Sequence, residues 1–183
     1  MSGSGTNCEN IIRRFAGSDT VLPAVVISNK AEAYALVRAK NLDIPCEVIT
    51  KSGFEDKESV LALLKKYKVD FIVLAGFLLK IPDYLVSAFE GRMINLHPAL
   101  LPKFGGKGMY GMNVHEAVKA AGEKETGITI HYVSSEIDGG KIIARFKTEV
   151  DPSDTPEDIA AKVHDLEMKH FPEVIEALFK GDL

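Results

Sequence analysis

Asn95, His97 and Asp138 are the residues of this sequence whose types and placement can do chemistry together. Asn95-Leu96-His97-Pro98 closes an apolar run at the point where a buried strand gives way to a loop. Alternation along a strand turns Asn95 and His97 to one face and Leu96 to the other, so an amide and an imidazole converge. Ligands of open α/β sheets bind outside the carboxyl ends of the strands, which is where this pair falls. Pro98 and Pro102 bracket Ala99-Leu100-Leu101 and deny the strand any continuation. Asp138 precedes Gly139 and Gly140 in a tight-turn signal that can press its carboxylate against another loop. A carboxylate beside an imidazole raises its pKa and fixes its orientation, giving a donor and a proton carrier at one place. Taken singly, Asn95 and His97 also fit a strand end satisfying its own loop, and Asp138 an ordinary Asp-Gly turn. Only the combination is informative.

These groups need a scaffold, and the first half of the chain supplies one by alternating β-rich runs with amphipathic stretches. Strands are predicted over Leu22 to Ser28, Pro45 to Thr50, Asp70 to Leu74 and Arg92 to Leu96. Helices are predicted over Ala31 to Lys40, Glu55 to Tyr67 and Pro82 to Phe89, giving βαβαβαβ. The stretch from Lys103 to Gly111 is glycine-rich and irregular, a functional loop. A helix over Val114 to Ala121 follows, then strands Gly127 to Ser134 and Lys141 to Thr148 flank the Asp138 turn as a hairpin-like pair. The final helix opens on a capping signature at Thr155, and Pro172 is expected to kink or break it near Phe171. The fold class is therefore α/β: a Rossmann-like, mostly parallel sheet with helices on both faces and an antiparallel C-terminal strand pair.

At 183 residues, 46% apolar and 26% charged, the chain suits one domain spanning residues 1–183 with a core that needs no disulfides. The net charge of −4, with no basic block, argues against nucleic-acid and membrane partners. Cys8 and Cys46 lack metal or redox spacing, so neither a metal site nor a disulfide is expected. No secretory signal is apparent, and the cytoplasm is the expected compartment. Ser2 to Asn7 followed by a helix-compatible run resembles a glycine-rich loop whose free N–H groups bind phosphate. It matches neither standard phosphate-loop pattern, and Met-Ser-Gly-Ser-Gly also fits the remnant of an expression linker.

Together, SGSGTN, VISNK (Val26 to Lys30), VLAGFLLKI (Val73 to Ile81), INLHPALLPKF (Ile94 to Phe104), GITIHYV (Gly127 to Val133) and DGGKII (Asp138 to Ile143) resemble the phosphoribosylglycinamide formyltransferase family. The resemblance covers nearly the whole chain; HPALLP alone is shared with other users of 10-formyltetrahydrofolate. It implies transfer of a formyl group from 10-formyltetrahydrofolate, as cosubstrate, to the amine of glycinamide ribonucleotide in purine synthesis. By the same resemblance Asn95, His97 and Asp138 are the catalytic trio. Amine attack on a formyl carbonyl builds a tetrahedral oxyanion, which Asn95 and a protonated His97 can stabilise, while the leaving folate nitrogen needs a proton that His97 can give. Asp138 would hold His97 charged. The resemblance places the ribose phosphate on Gly5, Thr6 and Asn7 in the N-terminal half, and the glycinamide amine near Glu167. Folate falls to Leu78, Leu79, Lys80, Ile81, Asn95 and the basic Lys57, with the C-terminal half catalytic. Lys57 and Lys80 equally fit surface lysines, and Glu167 a solvated helix residue. Lys103 and Lys107 are candidates to assist phosphate. Partners are small molecules, and the protein is a monomer or a homodimer.

The sequence departs from the family at one place. A phosphate loop of this kind is fed by a strand, and family members carry about six more apolar residues ahead of it, an ordinary strand length. Here the given sequence starts at the loop, so the expectation is a late start, a truncation, or another segment filling the sheet. A lost central ladder would weigh on a marginal stability. Two other readings stand beside the transferase: a 10-formyltetrahydrofolate hydrolase and a non-catalytic folate or nucleotide binder.

Overall fold

Elements appear in the predicted order in the computed structural model, which describes residues 4–183; the strands and helices predicted ahead of Arg92 are shorter than expected. Met1, and Ser2 and Gly3 of the glycine-rich loop, lie outside the described residues. Helix α1 spans Thr6–Arg14, followed by strand β1 (Val26–Ser28), helix α2 (Tyr34–Lys40) and strand β2 (Cys46–Val48). Helix α3 (Lys57–Lys66), strand β3 (Ile72–Leu74), helix α4 (Asp83–Ala88) and strand β4 (Met93–His97) continue the alternation. Helix α5 (Met112–Ala120), strands β5 (Glu125–Tyr132) and β6 (Ile142–Glu149) and helix α6 (Pro156–Lys180) complete it. The strand expected from Leu22 begins only at Val26, because Pro23 has no N–H to give a ladder. Residues 103–111 carry no regular helix or strand, as their glycines imply.

Strands β1 and β2 pair in parallel, as do β3 and β4; β5 then runs antiparallel to β4, and β6 antiparallel to β5. The order is β1–β2 in one sheet and β3–β4–β5–β6 in a second, rather than the single sheet expected. Among the described residues no strand joins the two. Between them lies an apolar cavity of about 470 Å³, walled by β1 residues Val26 and Ile27, β3 residues Ile72 and Val73, and Cys8 and Ile12 of α1. Helices cover both faces. On one, Ile94, Leu96, Ile128 and Ile130 of the strands pack with Phe171 and Ile175 of α6. On the other, Met93 packs with Val60 and Leu64 of α3 and Leu85 of α4. Leu96 and Met93 therefore face opposite layers, and alternation sends Asn95 and His97 to Met93's side.

The break expected at Pro172 does not occur: α6 runs from Pro156 to Lys180 with Pro172 buried inside it. A proline in a helix leaves the carbonyl four residues earlier without its N–H partner. That carbonyl belongs to Met168, and the Asn10 side chain of α1 donates to it at 2.6 Å. The tertiary contact replaces the missing helical bond and ties α1 to α6. Asn10→Leu leaves the carbonyl unpaired, and we expect a loss of about 1–3 kcal/mol, read as a lower urea midpoint at unchanged m.

Candidate active site

The β4–β5 pairing builds the site. Asn95 lies directly opposite His131 across the antiparallel ladder, and His97 opposite Thr129. Cross-strand neighbours project to the same face, so His131 joins Asn95 and His97. The third wall is the turn after Ser134. Asp138 sits there with φ 56°, and a Cβ on Gly140 would fall 1.7 Å from the Tyr132 carbonyl oxygen. Only glycine lets this turn lie against β5.

That close approach delivers the Asp138 carboxylate between two imidazoles. Oδ2 is 3.5 Å from His97 Nδ1, and Oδ1 is 3.6 Å from His131 Nε2. Oδ2 also accepts the Gly106 N–H at 2.9 Å, which ties the 103–111 loop to the same carboxylate. His97 Nε2 lies 2.7 Å from the Phe104 carbonyl. A carbonyl only accepts, so Nε2 carries the proton and Nδ1 is the nitrogen turned toward Asp138. His97 and His131 are 3% and 2% exposed, which makes both groups sensitive to the charges around them.

Burial pushes the His97 pKa below its ordinary value; Asp138 and the Phe104 carbonyl pull it up without overcoming that loss of solvation, and His131 adds to the lowering. This corrects the expectation of a cationic His97: buried as it is, the imidazole is neutral near pH 7. Burial alone would raise the Asp138 carboxyl, but His131, the Gly106 N–H and His97 together bring it below the usual range. Asp138 is thus the fixed negative charge of the site. His115 of α5 is also lowered, by burial and then by His97, and its Nδ1 has no hydrogen-bond partner.

The two lowered histidines set a pH dependence of stability. Their native forms bind fewer protons than the unfolded chain between their lowered values and the ordinary value of about 6.5. Stability is therefore full above about pH 6.5 and declines as pH falls through the window below it. We expect the urea midpoint to fall from pH 7.5 to pH 5.5, with a smaller fall in His115→Gln. Asp138 acts in a separate, more acidic window, because its carboxyl must be protonated before its contribution is lost.

Around this trio lies a cleft of about 730 Å³ at the carboxyl ends of β3 and β4. Gly5, Thr6, Asn7 and Glu167 all line it. Gly5 caps α1 with φ 79°, and a Cβ there would come 2.5 Å from the Ala35 Cβ, so α1 meets α2 closely and its first N–H groups open on the cleft. Asn7 Nδ2 donates to Glu167 Oε2 at 2.8 Å, and His164 Nδ1 lies 3.2 Å from the same oxygen. Leu78, Leu79, Lys80 and Ile81 line the opposite wall, with Lys80 3.4 Å from Asp83. Lys57 is not brought in: it is the exposed first residue of α3 and forms no part of the cleft wall. Lys107 lines the cleft, whereas Lys103 turns away to Glu123 at 2.8 Å. His131, His115 and His164 also line the cleft and were not singled out from the sequence. For His131 the signal was an imidazole in the GITIHYV strand, whose register against β4 no sequence pattern sets.

The formyl transferase family model matches residues 1–175. A chloroplastic phosphoribosylglycinamide formyltransferase of Arabidopsis thaliana is 40% identical over 97% of this chain and 63% of its own length. The chain thus spans less than two thirds of that plant relative. The phosphoribosylglycinamide formyltransferase of Haemophilus influenzae is 36% identical over 100% of this chain and 86% of its own length. A crystal structure of phosphoribosylglycinamide formyltransferase from Anaplasma phagocytophilum superposes with a TM-score of 0.90 at 34% identity, covering 99% of this chain and 85% of that one.

Proposed function

The chain belongs to the formyl transferase family, and from that membership and the cleft we propose that it moves the formyl group of 10-formyltetrahydrofolate onto the amine of glycinamide ribonucleotide. The observation that carries the reading is the convergence of Asn95, His97 and Asp138 at one end of a cleft whose other end holds the α1 N-terminus and Glu167. The names of the relatives supply the formyl acceptor, and the motif resemblance supplies the folate donor. The phosphate sits on the N–H groups of Gly5, Thr6 and Asn7, where the helix dipole favours an anion. Glu167, held by Asn7 and His164, meets the amine end. The pteridine lies along Leu78 to Ile81, and Asn95 faces the formyl group.

In the reaction the amine nitrogen bonds to the formyl carbon, and the bond from that carbon to folate N10 breaks. Negative charge gathers on the formyl oxygen, where the Asn95 amide donates. One proton leaves the amine and one arrives on N10, so no net proton is consumed. Neutral His97 suits this relay: Nδ1 takes the amine proton, Asp138 stabilises the imidazolium, and Nδ1 returns the proton to N10. Nε2–H stays on the Phe104 carbonyl and keeps the ring from turning. Cys8 and Cys46 are free thiols, which suits the cytoplasm, and no described helix is long and apolar enough to cross a membrane. A monomer or homodimer acting on small molecules is sufficient for the chemistry.

The test mixes purified protein with both substrates and follows tetrahydrofolate and formylglycinamide ribonucleotide. Equal formation of both supports transfer. Formate release without the amine acceptor marks a hydrolase instead, and binding without either product marks a binder.

A further inference from the structure

Asn95 acts only if its amide faces the right way, and nothing in β4 itself decides that. An Asn side chain turned by 180° exchanges a donor for an acceptor at the same place, so the surrounding hydrogen bonds choose. The deciding neighbour is His131, whose two nitrogens have different partners. Nδ1 lies 2.9 Å from the Tyr132 carbonyl oxygen. That oxygen only accepts, so Nδ1 bears a proton, and in the neutral ring Nε2 is left as a lone-pair acceptor. Nε2 lies 3.2 Å from Asn95 Nδ2, whereas Asp138 Oδ1, the other group facing it, stands at 3.6 Å, outside hydrogen-bond distance. The amide must then present its NH2 group, since its carbonyl oxygen would meet a lone pair. One N–H goes to His131, and the second, on the same nitrogen, is free for an oxyanion in the cleft.

We propose that His131 is a positioning residue, whose Nδ1–H tautomer, fixed by the Tyr132 carbonyl, holds the Asn95 amide in its donating orientation. The inference deepens the formyl-transfer reading and rests on it for its kinetic consequence alone. It assigns GITIHYV a function beyond filling a strand: the main chain of β5 sets a tautomer, and the tautomer aims a side chain of β4. His131 touches no reacting atom in this scheme.

The first measurement uses wild-type protein labelled with ¹⁵N-histidine, without substrates. Two-bond ¹H–¹⁵N correlations are expected to show neutral His131 protonated on Nδ1, against the Nε2–H preference of free imidazole side chains. A proton on Nε2, in a neutral ring or in an imidazolium paired with Asp138, leaves no acceptor for the Asn95 amide and overturns the proposal. This reading needs no turnover, so a protein that fails to transfer formyl groups still decides the inference. The second measurement compares His131→Gln with His131→Leu. A glutamine carbonyl can reach the place of Nε2 and accept from Asn95; leucine cannot. His131→Leu is expected to lose about 100-fold in kcat, with both KM values changed less than about twofold, and His131→Gln to recover about tenfold of that loss. Equal losses in two folded variants, or a loss confined to KM, overturn the proposal. Should His131→Leu fail to fold, the tautomer and the kcat of His131→Gln, expected within about tenfold of wild type, decide it.

Discussion

His97→Ala lowers kcat for formyl transfer by about 10²–10⁴-fold, the usual range for loss of a positioned acid–base group. The size follows from what the ring does alone. Two imidazoles have a nitrogen beside Asp138, His97 Nδ1 at 3.5 Å and His131 Nε2 at 3.6 Å, but His131 Nε2 is taken up by the Asn95 amide at 3.2 Å, which leaves His97 to carry the proton. Asn95 can donate but cannot carry a proton, and the Asp138 carboxyl is held too acidic to return one to an amine nitrogen. The measurement is steady-state kinetics with both substrates, beside a thermal melt. KM for each substrate should change little, because His97 contributes to the transition state rather than to ground-state binding. A buried ring cut to a methyl group also costs stability, so His97→Gln, which keeps most of the volume, accompanies it. Near-wild-type kcat in a folded His97→Gln would remove the imidazole from the mechanism.

Asp138→Asn is expected to lower kcat by about 10²–10³-fold while the 103–111 loop keeps its anchor. The variant retains an oxygen for the Gly106 N–H, bonded at 2.9 Å in the native site, but removes the charge. Two unit charges about 4 Å apart interact by about 4 kcal/mol at an effective dielectric of 20, and the amide dipole replaces part of that. The loss falls on the imidazolium that forms during proton relay. Burial already holds His97 below its ordinary pKa, with Asp138 the first of the influences opposing it. Without the charge, the His97 pKa drops further, which an NMR titration of its ring reads directly. Asp138→Ala should be worse than Asp138→Asn, because it also frees Gly106 and the loop. Equal activity of the asparagine variant and the wild type would show that the carboxylate only shapes the turn.

Comparison of sequence and structure is most instructive at Pro172, at His97 and at His131. Proline's missing N–H is a local property, and local reasoning ended the helix there. The helix continues because Asn10, far away in the chain, donates to the Met168 carbonyl. At His97 the residue and its partner were legible, since strand alternation and the Asp-Gly-Gly turn each have a sequence mark. The sign of its pKa shift was not, because the cost of desolvation depends on how tightly the 103–111 loop and the Asp138 turn close over the ring. His131 went unselected for a related reason: it matters only through a cross-strand register.

What the amino-acid sequence determined by itself was the alternation of strands and helices, the α/β class, and the strand-end position of the Asn-x-His pair. Those features follow from periodicity and from residue types, which act over a few neighbours. The tertiary structure alone decided that the strands divide into two sheets about an apolar cavity, that Lys57 stands outside the cleft, and that His97 is neutral there. Each of these depends on which distant segments exclude water from which groups, and solvation is a property of the assembled surface rather than of any stretch of chain.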